Sequence, residues 1–341
     1  MNSRRFAIHI WAVFTMVATF LLLCSGGIVT SKGVGMSVPD WPTTYGYNMF
    51  RFPLSGWVGG IFYEHSHRLI ASGVGLMTMI LAAAVLAWEP RRWIKKLALL
   101  AFVAVCLQGL LGGLRVTLYK DEIGIFHAML AQSFFSLLAI ISITTSPRFL
   151  RGQWDFFLPD SVLRNLVVGA TALIFLQLAL GATMRHEHAG LAIPDFPLAY
   201  GKILPDTSDI AIAAINKARI ADDKVPTNAL HIWIQMGHRA MAVLIFVAVA
   251  AVVWRAFTNP IAGSARYMAG LWIAMIFAQI GLGAWTIWSN KAADVATTHM
   301  ALGALSLLAG VVFSFRLWRG NEAGRFVIPD HPTASEFART V

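Results

Sequence analysis

The chain has 341 residues, of which 57% are apolar and only 13% charged, and its mean hydropathy is +0.65. That balance excludes a soluble globular domain and points to an integral membrane protein whose first partner is the lipid bilayer. The net charge of +10 comes from lysines and arginines beside apolar runs, without a nucleic-acid motif or a soluble basic domain, so nucleic acid is excluded as a partner.

Apolar runs of about 20 residues, the length a helix needs to cross the hydrocarbon layer, centre near positions 18, 77, 106, 134, 174, 243, 277 and 307. Barrel strands would be about half as long and would alternate, so the predicted class is all-α, with eight transmembrane helices. The opening MNSRRFAIHIWAVFTMVATFLLLC has the basic start and apolar core of a signal peptide. Its apolar run is long for one and no A-x-A-like cleavage site follows, so it reads as a retained first helix. Threading eight spans from a cytoplasmic N-terminus places EPRRWIKK (89–96), SPRFLRGQWD (146–155), Arg255, Arg266, Arg316 and Arg319 on the cytoplasmic side, as the positive-inside rule requires. The expectation is a multi-pass protein of a bacterial cytoplasmic membrane, with both termini and a tail at 326–341 cytoplasmic. Two long segments, roughly 31–56 and 186–228, then lie on the outer face, and SDIAIAAINKARIADDK (208–224) within the second reads as a short surface helix. Cys24 and Cys106 fall inside apolar runs, where thiols behave as small hydrophobes, and suggest neither a disulfide framework nor a metal site.

An internal repeat organises the chain. GVGMSVPDWPTTYG (33–46) aligns with HAGLAIPDFPLAYG (188–201), matching Gly35, Pro39, Asp40, Pro42, Tyr45 and Gly46 to Gly190, Pro194, Asp195, Pro197, Tyr200 and Gly201 at one constant spacing. After allowance for the longer second loop, His67-Arg68 meets His238-Arg239, QGLLGGL (108–114) meets QIGLGAW (279–285), and His127 meets His299. Each half then has four helices, an even number, so the halves are expected to share one orientation, related by an axis along the membrane normal. The expected domains are a four-helix bundle over 1–150 and a second over 151–325.

The repeat places His67, His127, His238 and His299 near the outer ends of the second and fourth helices of their halves. A lone intramembrane histidine can simply bond a neighbouring carbonyl, but four at matched positions favour a shared ligand. Imidazole nitrogens are good axial ligands for haem iron, and a four-helix bundle can hold the macrocycle. Two histidines per half underfill a tetrahedral zinc or copper site. Arg68 and Arg239 are candidate contacts for haem propionates, or interfacial arginines that snorkel.

Glu64 precedes His67 by three residues, on the same helical face, while the second half has Gln235 at the matching place. A carboxylate there suits proton handling or stabilisation of positive charge; the alternative is a helix ion pair with Arg68 worth a few tenths of a kcal/mol. His65 reads as an interfacial residue, and His186, His188 and His231 have no repeat partners. Gln108, Gln177 and Gln279 read as helix-packing contacts. The loop residues Asp40, Trp41, Asp195 and Phe196 are expected to cap the two pockets.

These motifs together resemble the haem A synthase family: the loop with P-D-W-P at 39–42, the E-x-x-H-R of Glu64–Arg68, and the histidines His127, His238 and His299 in a 4+4 repeat. The resemblance covers nearly the whole chain. It implies oxidation of the C8 methyl of haem O to a formyl group, giving haem A for terminal oxidases. It further implies a substrate-haem half carrying E-x-x-H, with Glu64 catalytic, a second half holding a haem b cofactor, and haem O synthase as a partner. Some members carry a cysteine pair around P-D-W-P; here Val38 and Thr43 or Thr44 stand there, so the chain resembles the cysteine-free branch. A dihaem b-type electron carrier is the alternative function. A transporter with a parallel repeat would instead gather ionisable residues near the membrane midplane.

Overall fold

The computed structural model describes residues 3–152, 160–259 and 263–326, with side chains as far as residue 318. Ten α-helices occur among these residues. Eight are long and apolar enough to cross a membrane: α1 (Ser3–Ser31), α2 (Gly59–Trp88), α3 (Arg92–Thr117), α4 (Ile123–Thr145), α6 (Ser161–His186), α8 (Ala229–Thr258), α9 (Ala265–Trp288) and α10 (Ala293–Phe326). The eight apolar runs thus became eight helices. Between them lie a single turn, α5 (Pro147–Leu150), and the surface helix α7 (Asp209–Ala221). Residues 153–155 of the basic stretch, and the expected tail beyond Phe326, fall outside the described residues.

Local chemistry sets the helix starts. Asp160 caps α6 by accepting from the backbone N–H groups of Val162 and Leu163, Ser208 caps α7 through Ala211 N–H, and Asn228 caps α8 through His231 N–H. Inside the spans, Thr15, Thr19, Thr78 and Ser306 return their hydroxyls to the carbonyl four residues back. This satisfies polar groups where no water is available. Large apolar side chains such as Phe14, Leu76, Val243 and Leu271 are exposed, the pattern of a lipid-facing surface.

The helices pack as two rings of four. In the first, α1 and α3 each pack against both α2 and α4; in the second, α6 and α9 each pack against both α8 and α10. This packing is compatible with the repeat read from sequence. The rings meet through α1 with α10 and through α4 with both α6 and α10. Gly27 of α1 makes the first approach close, because a Cβ there would run into Met300 and Thr297 of α10.

Each ring has its apolar core at one end. Ile8, Leu81, Ile94 and Leu138 fill the first, and Leu163, Trp272, Phe313 and Leu317 the second. These residues lie away from the long loops, near the starts of α1, α3, α6 and α9 and towards the ends of the helices that return. The loop-bearing end of each ring is outside the apolar cluster, and it contains the polar residues.

Candidate functional site

His67 and His127 project from α2 and α4, which stand across the first ring from each other; His238 and His299 project from α8 and α10, across the second. Each ring lies against a glycine of a neighbouring helix. A Cβ built on Gly26 would stand 3.0 Å from His67 Cε1, on Gly112 3.3 Å from His127 Cε1, on Gly181 3.4 Å from His238 Cε1, and on Gly283 3.3 Å from His299 Cε1. Nδ1 of all four histidines is buried without a hydrogen-bond partner among the described residues. Nε2 is not enclosed in this way and makes no hydrogen bond to the described residues, so at all four matched positions it is the nitrogen open to a ligand.

The donor set fits haem. It supplies two imidazoles per ring and, among the described residues, no group of three His, Cys, Asp or Glu side chains gathers as a lone metal ion would require. Haem iron carries four in-plane nitrogens and takes two axial ones. Three of the four histidine backbones are also clamped. The Gln108 amide donates to His127 O at 2.9 Å, Gln177 to His238 O at 3.0 Å and Gln279 to His299 O at 2.9 Å. Each glutamine lies one turn before the glycine under a histidine ring (Gln108/Gly112, Gln177/Gly181, Gln279/Gly283), whereas α1 has Leu22 before Gly26. The glutamines are packing contacts, as expected, and the recurring Q-x-x-x-G was the sequence signal for their target.

The two loops fold alike. The Asp40 carboxylate accepts from the N–H groups of Tyr45 and Gly46, both at 2.8 Å, and from the Thr43 hydroxyl; Asp195 accepts from Tyr200 N–H at 2.7 Å and Gly201 N–H at 2.8 Å. Tyr45 donates its hydroxyl to Ser37 O and Tyr200 to Ala192 O. Gly46 and Gly201, at φ of 77° and 74°, take the left-handed conformation that glycine permits. Trp41 lies on Gly113, beside the glycine under His127, while Phe196 packs edge-on to Trp288 with the Arg239 guanidinium 5.5 Å from its ring centre. Ile212 and Ile215 of α7 pack against the small buried cluster that Ala192, Ile193 and Ala199 of the second loop form with Ile232 of α8.

The arginines that follow His67 and His238 tie these loops down. Arg68 donates to Asp40 O (2.6 Å), Thr43 O (3.2 Å) and Val38 O (2.7 Å); Arg239 donates to Asp195 O (2.7 Å) and Leu198 O (2.8 Å). Glu64, 3% exposed, accepts from Arg68 at 2.6 Å and from Val38 N–H at 2.8 Å. Gln235, equally buried, accepts from Ile193 N–H at 2.7 Å and returns its amide to Ile193 O. The two side chains therefore share a loop-anchoring bond and differ in charge.

A profile of the COX15-CtaA family, described as cytochrome oxidase assembly protein, matches residues 9–312. The chain belongs to the COX15-CtaA family. Curated proteins named "Heme A synthase" from Bacillus cereus (strain 03BB102) and from Bacillus anthracis (strain A0248) are each 30% identical to it over 242 residues, 69% of either chain. One from Bacillus mycoides (strain KBAB4) is 29% identical over 241 residues, 69% of this chain and 68% of its own.

In this COX15-CtaA protein several polar residues lie differently from expectation. His65, expected at the interface, is 1% exposed; it bonds Thr44 Oγ1 through Nδ1 at 3.1 Å and packs between Phe52 and Trp57. Its neighbours are apolar because loop one folds back over α2. His186, at the end of α6, fits into the space left by Gly124 of α4 and stands with His188 at 3.9 Å from the Asp121 carboxylate. Asp121 pairs with Arg115 of α3 at 2.7 Å. Burial alone would raise the Asp121 carboxyl, but the hydrogen bond and charge of Arg115, with the two histidines, hold it below the usual range. Arg185 and Lys291 stand on the second ring's side without such a partner among the described residues, a difference sequence reading missed because neither belongs to a repeated motif.

Proposed function

We propose that this chain is a haem A synthase, oxidising the C8 methyl of haem O to a formyl group. The observation that carries the reading is the set of four half-buried histidines at matched positions, whose ring nitrogens have no hydrogen-bond partner among the described residues, in a chain whose family and curated relatives point the same way. His67 and His127 would hold the substrate haem in a first bundle, residues 1–150, and His238 and His299 a haem b cofactor in a second, residues 151–325, with both bundles similarly oriented and the loops on the outer face. That cofactor, when bound, supplies one-electron redox chemistry. The loop residues Asp40, Trp41, Asp195 and Phe196 cap the two pockets. Haem O synthase is the proposed donor, a terminal oxidase the recipient, and a bacterial cytoplasmic membrane with cytoplasmic termini the location.

Making an aldehyde from a methyl group removes hydrogens and adds oxygen, so charge develops at the reacting carbon and protons must leave. Glu64 is the only one of the matched pair that carries charge to meet that need. Gln235 shows that an amide at this place still holds its loop, and Arg239 that the following arginine is held through both Nη atoms by loop carbonyls without a carboxylate. Glu64→Gln is therefore a substitution whose structural cost the second half already bears. Expressed with a haem O supply, followed by haem extraction and chromatography, the parent protein should yield haem A. The variant should keep its haem and lose conversion by about 10²-fold or more, the scale for a positioned acid or base. Full conversion with normal haem content would leave Glu64 as a loop anchor only.

A dihaem carrier would use the same histidines and leave Glu64 against Gln235 without a role. His238→Ala or His299→Ala should deplete haem B selectively; undiminished haem B would contradict the ligand assignment.

A further inference from the structure

Each ring places one arginine one turn beyond a glycine that supports a histidine ring: Arg115 three residues after Gly112, and Arg185 four residues after Gly181. Both stand at the loop-bearing ends of their helices. Beneath the matched loop glycines lies a second likeness. A Cβ on Gly35 would meet Arg115 Nη1 at 2.8 Å, and one on Gly190 would meet Lys291 Cδ at 4.0 Å. A basic side chain thus approaches the matched glycine of each loop, by its guanidinium in the first and by its aliphatic stem in the second, supplied from different positions in the sequence.

The two sites differ in how that charge is met. Arg115 is neutralised by Asp121 at 2.7 Å. Arg185 donates to Ser31 Oγ at 2.8 Å, and among the described residues neither it nor Lys291 has a carboxylate within ion-pair distance. Both are half-buried, and the Lys291 amine is pushed below its usual range by burial and then by the Arg185 charge. Two neighbouring half-buried cations with no counter-charge among the described residues are costly unless an anion joins them. Backbone support differs in the same sense: both ligand histidines of the second ring are clamped by glutamine, and only His127 in the first.

We propose that Arg185 and Lys291 form a carboxylate-binding site that holds the acid edge of the haem in the second ring, whereas Asp121 occupies Arg115 and leaves the haem of the first ring exchangeable. This rests on the haem reading above and deepens it: a synthase must release its product from one ring and retain its cofactor in the other. The asymmetry of charge supplies that difference without any change in the ligands.

The test uses the full chain in nanodiscs, with His67→Ala or His238→Ala backgrounds to leave one ring loaded, and follows haem transfer to a scavenging apoprotein. R185Q/K291Q should speed loss from the second ring at least tenfold and leave the first unchanged, while R185K should restore retention if charge is the cause. D121N should slow loss from the first ring several-fold. Iron protoporphyrin IX should outcompete its dimethyl ester in the second ring of the parent, and that preference should vanish in R185Q/K291Q. Unchanged transfer rates or an unchanged ester preference would overturn the proposal. So would retention that follows phosphatidylglycerol in the nanodisc rather than the porphyrin acids, which would give the cations to a lipid phosphate. A parent protein without haem in either ring would defeat the haem reading itself, an outcome distinct from haem bound normally and indifferent to these cations.

Discussion

The glycine under each imidazole limits how far the ring can sit from its own helix, and the four contacts are graded. At Gly26 an added methyl group would be 3.0 Å from His67 Cε1, too near for the ring to stay in place, whereas at Gly181 the 3.4 Å spacing is ordinary contact. Gly26→Ala should therefore cost the first ring most of its haem, and Gly181→Ala should leave the second near normal, as read from extracted haem per protein. Equal losses in both would show that the glycines serve helix packing alone. At this scale the histidines were legible because a polar residue in an apolar run is expensive, and four that recur are hard to explain otherwise. What Arg68 and Arg239 bind was not legible. A guanidinium satisfies a loop carbonyl or a carboxylate equally well, and only the path of the backbone decides which is near.

The turn at 39–46 is built by one carboxylate that collects the N–H groups of Tyr45 and Gly46 and the hydroxyl of Thr43. Burial would raise the Asp40 carboxyl, but these three donors outweigh it and hold it below the usual range. A lowered carboxyl stabilises the folded turn above the ordinary value of about 3.9 and loses that contribution as pH falls through its own lower value. Amide exchange at Tyr45 and Gly46 should accordingly stay slow from neutral pH to about pH 4 and quicken only below it, after correction for intrinsic rates, while Asp40→Asn should be fast at every pH and show no such step. At Gly46 a side chain would have to take the left-handed region, so Gly46→Ala should destabilise the turn by about 1–2 kcal/mol. The eight spans and α7 could be read from apolar length and a serine cap. The identity of the two turns was readable only as matched letters, because the bonds that P-D-x-P-x-x-Y-G makes lie between side chain and backbone, which an alignment does not display.

Across the molecule, the apolar cores occupy one end of each ring and the polar groups the other, so stability and chemistry are separated along the helix axes. The rings are joined mainly by α1, α4, α6 and α10, and Gly27 allows the α1–α10 approach at Thr297 and Met300. Gly27→Val should overpack that seam by about 1–3 kcal/mol and lower Tm by a few degrees, measured in detergent by differential scanning fluorimetry; an unchanged Tm would mean that the Met300 side chain absorbs the added bulk. The repeat in the sequence foretold which residues correspond. It did not foretell the contact between rings, since that seam has no counterpart within either half. The tyrosine turn has a consequence for engineering: its bonds close on itself and on three positions of the next helix, of which the arginine and the Glu64/Gln235 acceptor recur in both halves and only the Thr44–His65 bond does not, so it is largely a portable part. Residues 188–201 grafted over 33–46 would keep that internal wiring, and a chimera that still makes haem A would place the chemical identity of the first half in its walls rather than its lid.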